Sequence, residues 1–210
     1  MRKILLGALI LISAFLKAQD KPYIIGKYDS HARISSNPAL LNDIVYFGND
    51  DSIFCALEAN TLKKKWSFKT GSKIRSRPVF HDNTVYFKSG FDVYALNRET
   101  GKQYWSSKVQ ANQGATQQDY WDYHSGAPVI HKGIVYFGFE NGSIHGFDLK
   151  TGEVKVDLQA DDSASIKSGL IVNKDILYFG DWNGKIYAFD LKEKKRLWKY
   201  DSYEKQEYPT

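Results

Sequence analysis

The sequence predicts an all-β fold, a β-propeller of about four four-stranded antiparallel blades, and three observations predict it. One stretch occurs four times: IVYFGNDDSIFCALEANTLKKKW from Ile44, TVYFKSGFDVYALNRETGKQYW from Thr84, IVYFGFENGSIHGFDLKTGEVKV from Ile134 and ILYFGDWNGKIYAFDLKEKKRLW from Ile176. Its anchor tyrosines, Tyr46, Tyr86, Tyr136 and Tyr178, lie 40, 50 and 42 residues apart. A period near 40 with short strands and a recurring aromatic marks propeller blades or a β-solenoid. The third observation is a ten-residue step from a small residue to a tryptophan, Ala56 to Trp66, Ala95 to Trp105 and Ala188 to Trp198. In the third copy the step runs from Gly146 to Val156, and the aromatic is lost.

Each copy parses into four strands. A short segment with a central proline comes first, at Ser36-Asn37-Pro38, Ser76-Arg77-Pro78 and Gly126-Ala127-Pro128, with Ser168-Gly169-Leu170 in the fourth copy. Proline cannot donate to a ladder, so it belongs at a strand start or an edge. Turns follow at Asn42-Asp43, His81-Asp82-Asn83, His131-Lys132-Gly133 and Asn173-Lys174-Asp175, rich in residues that tolerate left-handed backbone. The second strand carries the Val/Leu-Tyr-Phe signature, dense in β-branched and aromatic residues as a buried strand requires. Asn141-Gly142 and Asn183-Gly184 supply tight hairpins into the third strand. Between the third and fourth strands, Thr100-Gly101 supplies a turn with positive φ at glycine. The small residue of the ten-residue step is expected to let a neighbouring blade approach, and the tryptophan to cover the seam between blades.

Residues outside the copies carry the rest of the organisation. Residues 1–18 read as a signal peptide: Arg2 and Lys3 precede Ile4–Leu16, an uncharged run of 13 residues, shorter than the about 20 that span a bilayer. No cysteine follows that run to take a lipid. Residues 19–210 then form the propeller repeats, with blades near 34–68, 74–107, 126–158 and 166–200. Lys27-Tyr28-Asp29-Ser30 recurs as Lys199-Tyr200-Asp201-Ser202, directly after the last outer strand. Tyr23–Tyr28 is therefore expected to be the outer strand of a blade that the chain does not complete. At the other end, Pro209 falls almost where a fifth inner-strand proline would stand. The expected ring is partial, open or truncated, and three closures remain open: a remnant of a longer propeller, a homodimer of half-rings, or completion by a partner chain.

Composition narrows the function classes. The net charge of +5 falls to +2 without Arg2, Lys3 and Lys17, with both signs interspersed, so nothing favours nucleic acid. Most tyrosines and tryptophans sit at repeat positions and are packing residues first. Cys55 is the sole cysteine, which excludes an intrachain disulfide and a two-cysteine metal site. His81 and His131 share a turn position, His145 is in register with Tyr94 and Tyr187, and His31 and His124 are isolated. Asp50, Asp51, Glu140 and Asp181 lie in hairpins, where turn chemistry accounts for them better than calcium does. No Gly-x-Ser-x-Gly elbow is present.

The tryptophan step with its Thr-Gly turn resembles the docking motif of the PQQ-like, quinoprotein-type β-propeller repeat family, over nearly all of residues 23–200. That resemblance implies a seven- or eight-bladed ring in most members. Its enzymatic branch implies a quinone, an adjacent cysteine pair and a calcium site with a catalytic aspartate. The cysteine pair is absent here, and the expectation is no catalytic residue, no cofactor and no metal. The BamB-like exported propellers imply a protein-interaction scaffold of the periplasm or cell exterior. A binding face is expected where the segment 108–125, which holds the additional residues of the 50-residue spacing, meets the hairpins: Asp119, Tyr120, Trp121, Tyr123, His124, Asp181 and Trp182. Ala56, Trp66, Ala95, Thr100, Gly101, Trp105, Ala188 and Trp198 are assigned to blade docking. Two alternatives stand beside the scaffold: a glycan-binding module using Trp121 and Trp182, and a remnant of a PQQ-dependent dehydrogenase.

Overall fold

The computed structural model describes residues 26–110, 125–160 and 163–202. These hold sixteen strands in four antiparallel sheets, each of four strands in chain order. Blade 1 comprises β1 (Ala39–Leu41), β2 (Ile44–Gly48), β3 (Ile53–Glu58) and β4 (Lys64–Lys69). Blade 2 comprises β5 (Val79–His81), β6 (Thr84–Ser89), β7 (Asp92–Asn97) and β8 (Gln103–Lys108). Blade 3 follows with β9 (Val129–His131), β10 (Ile134–Gly138), β11 (Ser143–Asp148) and β12 (Val154–Gln159). Blade 4 is β13 (Ile171–Asn173), β14 (Ile176–Gly180), β15 (Lys185–Asp190) and β16 (Lys195–Asp201). The inner strands β5, β9 and β13 are neighbours in that order, and the four sheets form an unclosed arc. No helix among the described residues is long and apolar enough to cross a membrane.

Local chemistry accounts for the turns. Asn42, Asp43, Asp82, Lys132, Gly133, Lys174 and Asp175 all take positive φ, as two-residue hairpins demand. The ten-residue step has a geometric origin, because a β-bulge interrupts the third and fourth strands of every blade. Ala56, Ala95 and Ala188 face Trp66, Trp105 and Trp198, Gly146 faces Val156, and the register slips by one immediately afterwards. The small residue packs in the seam, Ala56 with Val85 and Phe87 of blade 2 and Ala95 with Val135 and Phe147 of blade 3, and it is also crowded from its own blade. It stands opposite the tyrosine of its own blade (Tyr46 with Ala56, Tyr136 with Gly146). A Cβ on Gly146 would meet Ile134 and the Tyr136 ring at 2.8 and 2.9 Å, so the crowding comes from within the blade.

The core lies at the seams, in three clusters that each join consecutive blades. At the first seam, Phe54 stacks on Phe87 at 3.9 Å, and Trp66 Nε1 and Tyr46 OH both donate to the Arg98 carbonyl, at 3.0 and 3.1 Å. At the second, Trp105 Nε1 and Tyr86 OH both donate to the Leu149 carbonyl at 3.0 Å. Gly101 (φ +74) and Gly152 (φ +73) lie under those indoles, where a Cβ would meet Trp66 at 2.7 Å and Trp105 at 2.6 Å. Of the assigned docking residues, Ala56, Trp66, Ala95, Gly101 and Trp105 lie at these seams; Thr100 is exposed in its turn, and Ala188 faces Trp198 on the side of blade 4 that has no further blade among the described residues.

Serine ties the inner segment to the sheet in blades 1, 2 and 4, while blade 3 carries Gly126 at that position. Ser36 Oγ donates to the Gly48 carbonyl and accepts from its N–H, at 2.8 and 2.9 Å; Ser76 does the same with Lys88, and Ser168 with Gly180. Residues 26–30 are not a strand, contrary to the expectation for the part of Tyr23–Tyr28 that is described. They dock on blade 1, with the Tyr28 ring 6.1 Å from Phe47.

Candidate protein-interaction face

The hairpins between second and third strands share one end of the arc with the segments that connect blades. Ile74 N–H donates to the Asn49 carbonyl, Ile166 N–H to Phe139, and Trp182 N–H to Ser165, at 3.1, 3.0 and 3.0 Å. The segment 108–125 departs from this same end, since Val109 N–H donates to the Phe91 carbonyl in the β6–β7 hairpin. Of the expected face, Asp119, Tyr120, Trp121, Tyr123 and His124 lie outside the described residues.

Asp50, Glu140 and Trp182 occupy the same position in three hairpins, and each meets a cation. Asp50 Oδ1 lies 3.5 Å from Arg75 Nε. Glu140 lies 3.1 Å from Lys88 Nζ, and Trp182 has Lys167 Nζ 5.2 Å from its ring centroid. The aromatic thus replaces a carboxylate without losing its cationic neighbour. Trp182 is 67% exposed, the most exposed tryptophan of the described residues.

Asp181 plays a different part from the one assigned to it. Its Oδ1 accepts the Lys185 N–H and its Oδ2 accepts the Tyr187 hydroxyl, both at 2.9 Å. Both oxygens hold the hairpin together and so present Trp182 on a rigid turn. That is the turn chemistry expected of the hairpin acids.

Lys88 was not among the residues the sequence singled out. It stands where the other copies carry Gly48, Gly138 and Gly180, and its side chain is 3% exposed. Gly48 and Gly138 make room for Ile74 and Ile166 of the following connecting segments, which a Cβ would meet at 2.1 and 2.5 Å. Blade 2 fills that space with lysine instead. Lys88 Nζ donates to the Gly138 carbonyl at 2.7 Å, to both Glu140 oxygens, and sits 4.8 Å from the Phe139 ring centroid. A lysine at a glycine position, in the blade followed by the long connection, was the signal available in the sequence.

Other titratable groups are structural. His145 Nε2 lies 3.0 Å from Ser143 Oγ, and Asp157 is 3.5 Å from its Nδ1. Ser143 is buried and gives its proton to Asn141 Oδ1 at 2.6 Å, so the row is not set up as a nucleophile and base. Burial pulls the His145 imidazole below its ordinary pKa, with Asp157 opposing. Asp175 bonds Lys132 and His131 across the third seam, at 2.7 and 2.5 Å, and these contacts lower its pKa, Lys132 foremost. Burial raises the Cys55 thiol.

The bulged four-stranded blade, the tryptophan on glycine and the unclosed arc define a tryptophan-docked propeller of the PQQ-like repeat type. The chain belongs to the family described as outer membrane protein assembly factor BamB, whose model matches residues 25–200. BamB from Moraxella catarrhalis superposes with a TM-score of 0.68 at 17% identity, over 82% of this chain and 54% of that one. Quinohemoprotein alcohol dehydrogenase from Comamonas testosteroni gives 0.64 at 18% identity, over 81% and 35%. The computationally designed Ika4 protein gives 0.62 at 19%, over 78% of this chain and 94% of the design. Among curated proteins, tetrathionate hydrolase of Acidithiobacillus ferrooxidans is 28% identical over 120 residues, which is 54% of this chain and 22% of that enzyme. The chain thus spans about half of the BamB structure and under a quarter of the curated relative. The structural likenesses concern the fold.

Proposed function

We propose that this chain is a non-catalytic, exported propeller scaffold that binds another protein through its hairpin face. The observation that carries the reading is Trp182: a large aromatic, two-thirds exposed, on a hairpin whose aspartate is locked by two hydrogen bonds. Exposed aromatics on rigid turns, beside paired charges, are the anchors from which interfaces are commonly built. The connecting segment 108–125, which leaves blade 2 at that end of the arc, carries Tyr120, Trp121 and Tyr123 in its sequence. Membership of the BamB family supports a protein partner and a periplasmic or secreted location for the chain after removal of residues 1–18. Glycan binding is the second reading, resting on Trp182 exposed beside the partly buried Asp181 carboxylate, each of whose oxygens accepts one bond from the hairpin.

The test is affinity purification with the full chain and with Trp121→Ala/Trp182→Ala. Loss of the co-purified protein, with the thermal unfolding transition unchanged, is the expected result. Retained protein binding by the double variant refutes the reading, and binding of the wild type to a glycan array that the variant loses transfers the face to a sugar.

A further inference from the structure

One position of the repeat changes character in blade 2. Arg98 follows the third strand where blades 3 and 4 carry Leu149 and Leu191 and blade 1 carries Ala59. The backbone there is alike in all four blades. Ala59, Arg98, Leu149 and Leu191 each donate their N–H to the first turn of their own blade, at the carbonyls of Asp43, Asn83, Gly133 and Asp175. The side chains differ in what they close. Leu149 is buried in the cluster of the second seam and Leu191 in that of the third, whereas the cluster of the first seam has no such member.

At that corner of the first seam there is a cleft of about 230 Å³, lined by Asn42, Ile44, Tyr46 and Lys65 of blade 1 and by Arg98 and Glu99 of blade 2. At roughly 30 Å³ for each water it has room for about eight, the scale of a small organic molecule.

The charges around the cleft are not balanced. The Arg98 side chain is only 18% exposed, yet its Nε donates to a neutral group, the Asp82 carbonyl, at 3.3 Å. Glu99 is 61% exposed and stands 3.9 Å from Arg98 Nη2, beyond hydrogen-bond reach. The charge of Arg98 is felt at the Tyr46 hydroxyl, where it opposes the rise in pKa that burial causes. Lys65 is exposed at the rim and makes no ion pair among the described residues. The third seam treats its cations differently. Lys155, at the position of Lys65, bonds Glu153 at 2.7 Å, and Lys132, at the position of Asn42, bonds Asp175 at 2.7 Å. At the second seam Tyr104 and Leu149 take the places of Lys65 and Arg98, and neither cation is kept.

We propose that the cleft at the first seam binds a small organic monocarboxylate. The carboxylate takes charge-assisted hydrogen bonds from Arg98, whose planar guanidinium matches its fork, and from Lys65, with the Asn42 amide as a further donor. The apolar end of the ligand lies against Ile44 and Tyr46. Two cations against the one carboxylate of Glu99 suit a monoanion, and the apolar lining separates an organic acid from inorganic phosphate. The site is built from the turns between first and second and between third and fourth strands, at the end of the arc opposite the hairpin face.

The test is a nuclear magnetic resonance titration of the full chain with sodium benzoate, at an ionic strength held constant with sodium chloride. Saturable shifts centred on the amides of Asn42, Lys65, Arg98 and Glu99 are expected. Arg98→Leu copies the residue of blades 3 and 4 and keeps the carbonyl that receives Trp66, so the unfolding transition should persist while benzoate affinity falls by about tenfold or more. Lys65→Gln, at an exposed position, should weaken binding by about two- to fivefold, and Glu99→Gln should tighten it by a similar factor. Benzamide, of the same shape without the charge, should not bind. The absence of saturable shifts, or an affinity for benzamide or inorganic phosphate equal to that for benzoate, overturns the proposal. So does benzoate binding that survives Arg98→Leu or weakens in Glu99→Gln.

Discussion

Gly101→Ala tests the seam most directly. The methyl group would sit 2.7 Å from Trp66 Cε3 and force the indole out of its seat. The exposure of Trp198, 46% against 9% for Trp66, measures what an undocked indole regains. For a side chain of up to 250 Å², that is roughly 90 Å², or about 2 kcal/mol at 25 cal/mol/Å². The lost bond to the Arg98 carbonyl adds about 1 kcal/mol, and alanine at φ +74 costs roughly 1–2 kcal/mol more. The expected destabilisation is about 4–5 kcal/mol, which at a urea slope of about 2 kcal/mol/M lowers the midpoint by about 2 M. Equilibrium unfolding followed by far-UV circular dichroism reads it. In a Trp66→Val background, which copies Val156, the clash disappears and only the backbone strain remains. The two substitutions should therefore couple by about 2–3 kcal/mol. Lys194→Ala, at a turn without a tryptophan over it, should shift stability by less than about 1 kcal/mol. If Gly101→Ala and Trp66→Val are additive within about 0.5 kcal/mol, glycine is not what seats the Trp66 indole.

Three further outcomes follow from buried groups. Glu140→Ala leaves the Lys88 ammonium in a seam with a carbonyl and a ring; since Glu140 itself is partly exposed, the loss should fall at about 3 kcal/mol, the lower end for a broken buried pair. Lys88→Met/Glu140→Leu should recover most of it, and a double variant no more stable than Glu140→Ala would contradict the pairing. His145 is held neutral in the folded state, so the unfolded chain binds a proton first as pH falls; stability drops below about pH 6.5, and His145→Tyr, the residue of two other copies, should flatten that part of the profile. An unchanged pH profile in the variant would assign the slope elsewhere. Cys55 is buried with its thiol pKa raised, so iodoacetamide should label it at the rate of unfolding; rapid labelling under native conditions would show the site to be open.

Much of the architecture was legible because it is periodic. Strands, left-handed turns and the ten-residue step are set by hydrogen bonding among residues within one blade, and four copies repeat that chemistry in register. The tryptophan on glycine was also readable, as a motif rather than as a contact. Sequence spacing by itself thus determined the blades, their order and the end of the arc that carries the hairpins. It did not determine why Gly146 is small, a matter of the Tyr136 ring across the ladder. Nor did it show that Asp181 serves the hairpin, or that Lys88 crosses 52 positions to Glu140. Each of these depends on how sheets and side chains are set against one another. A repeat pattern encodes the blade, whereas the seam is a contact between distant residues, and its fit exists only once the blades are stacked.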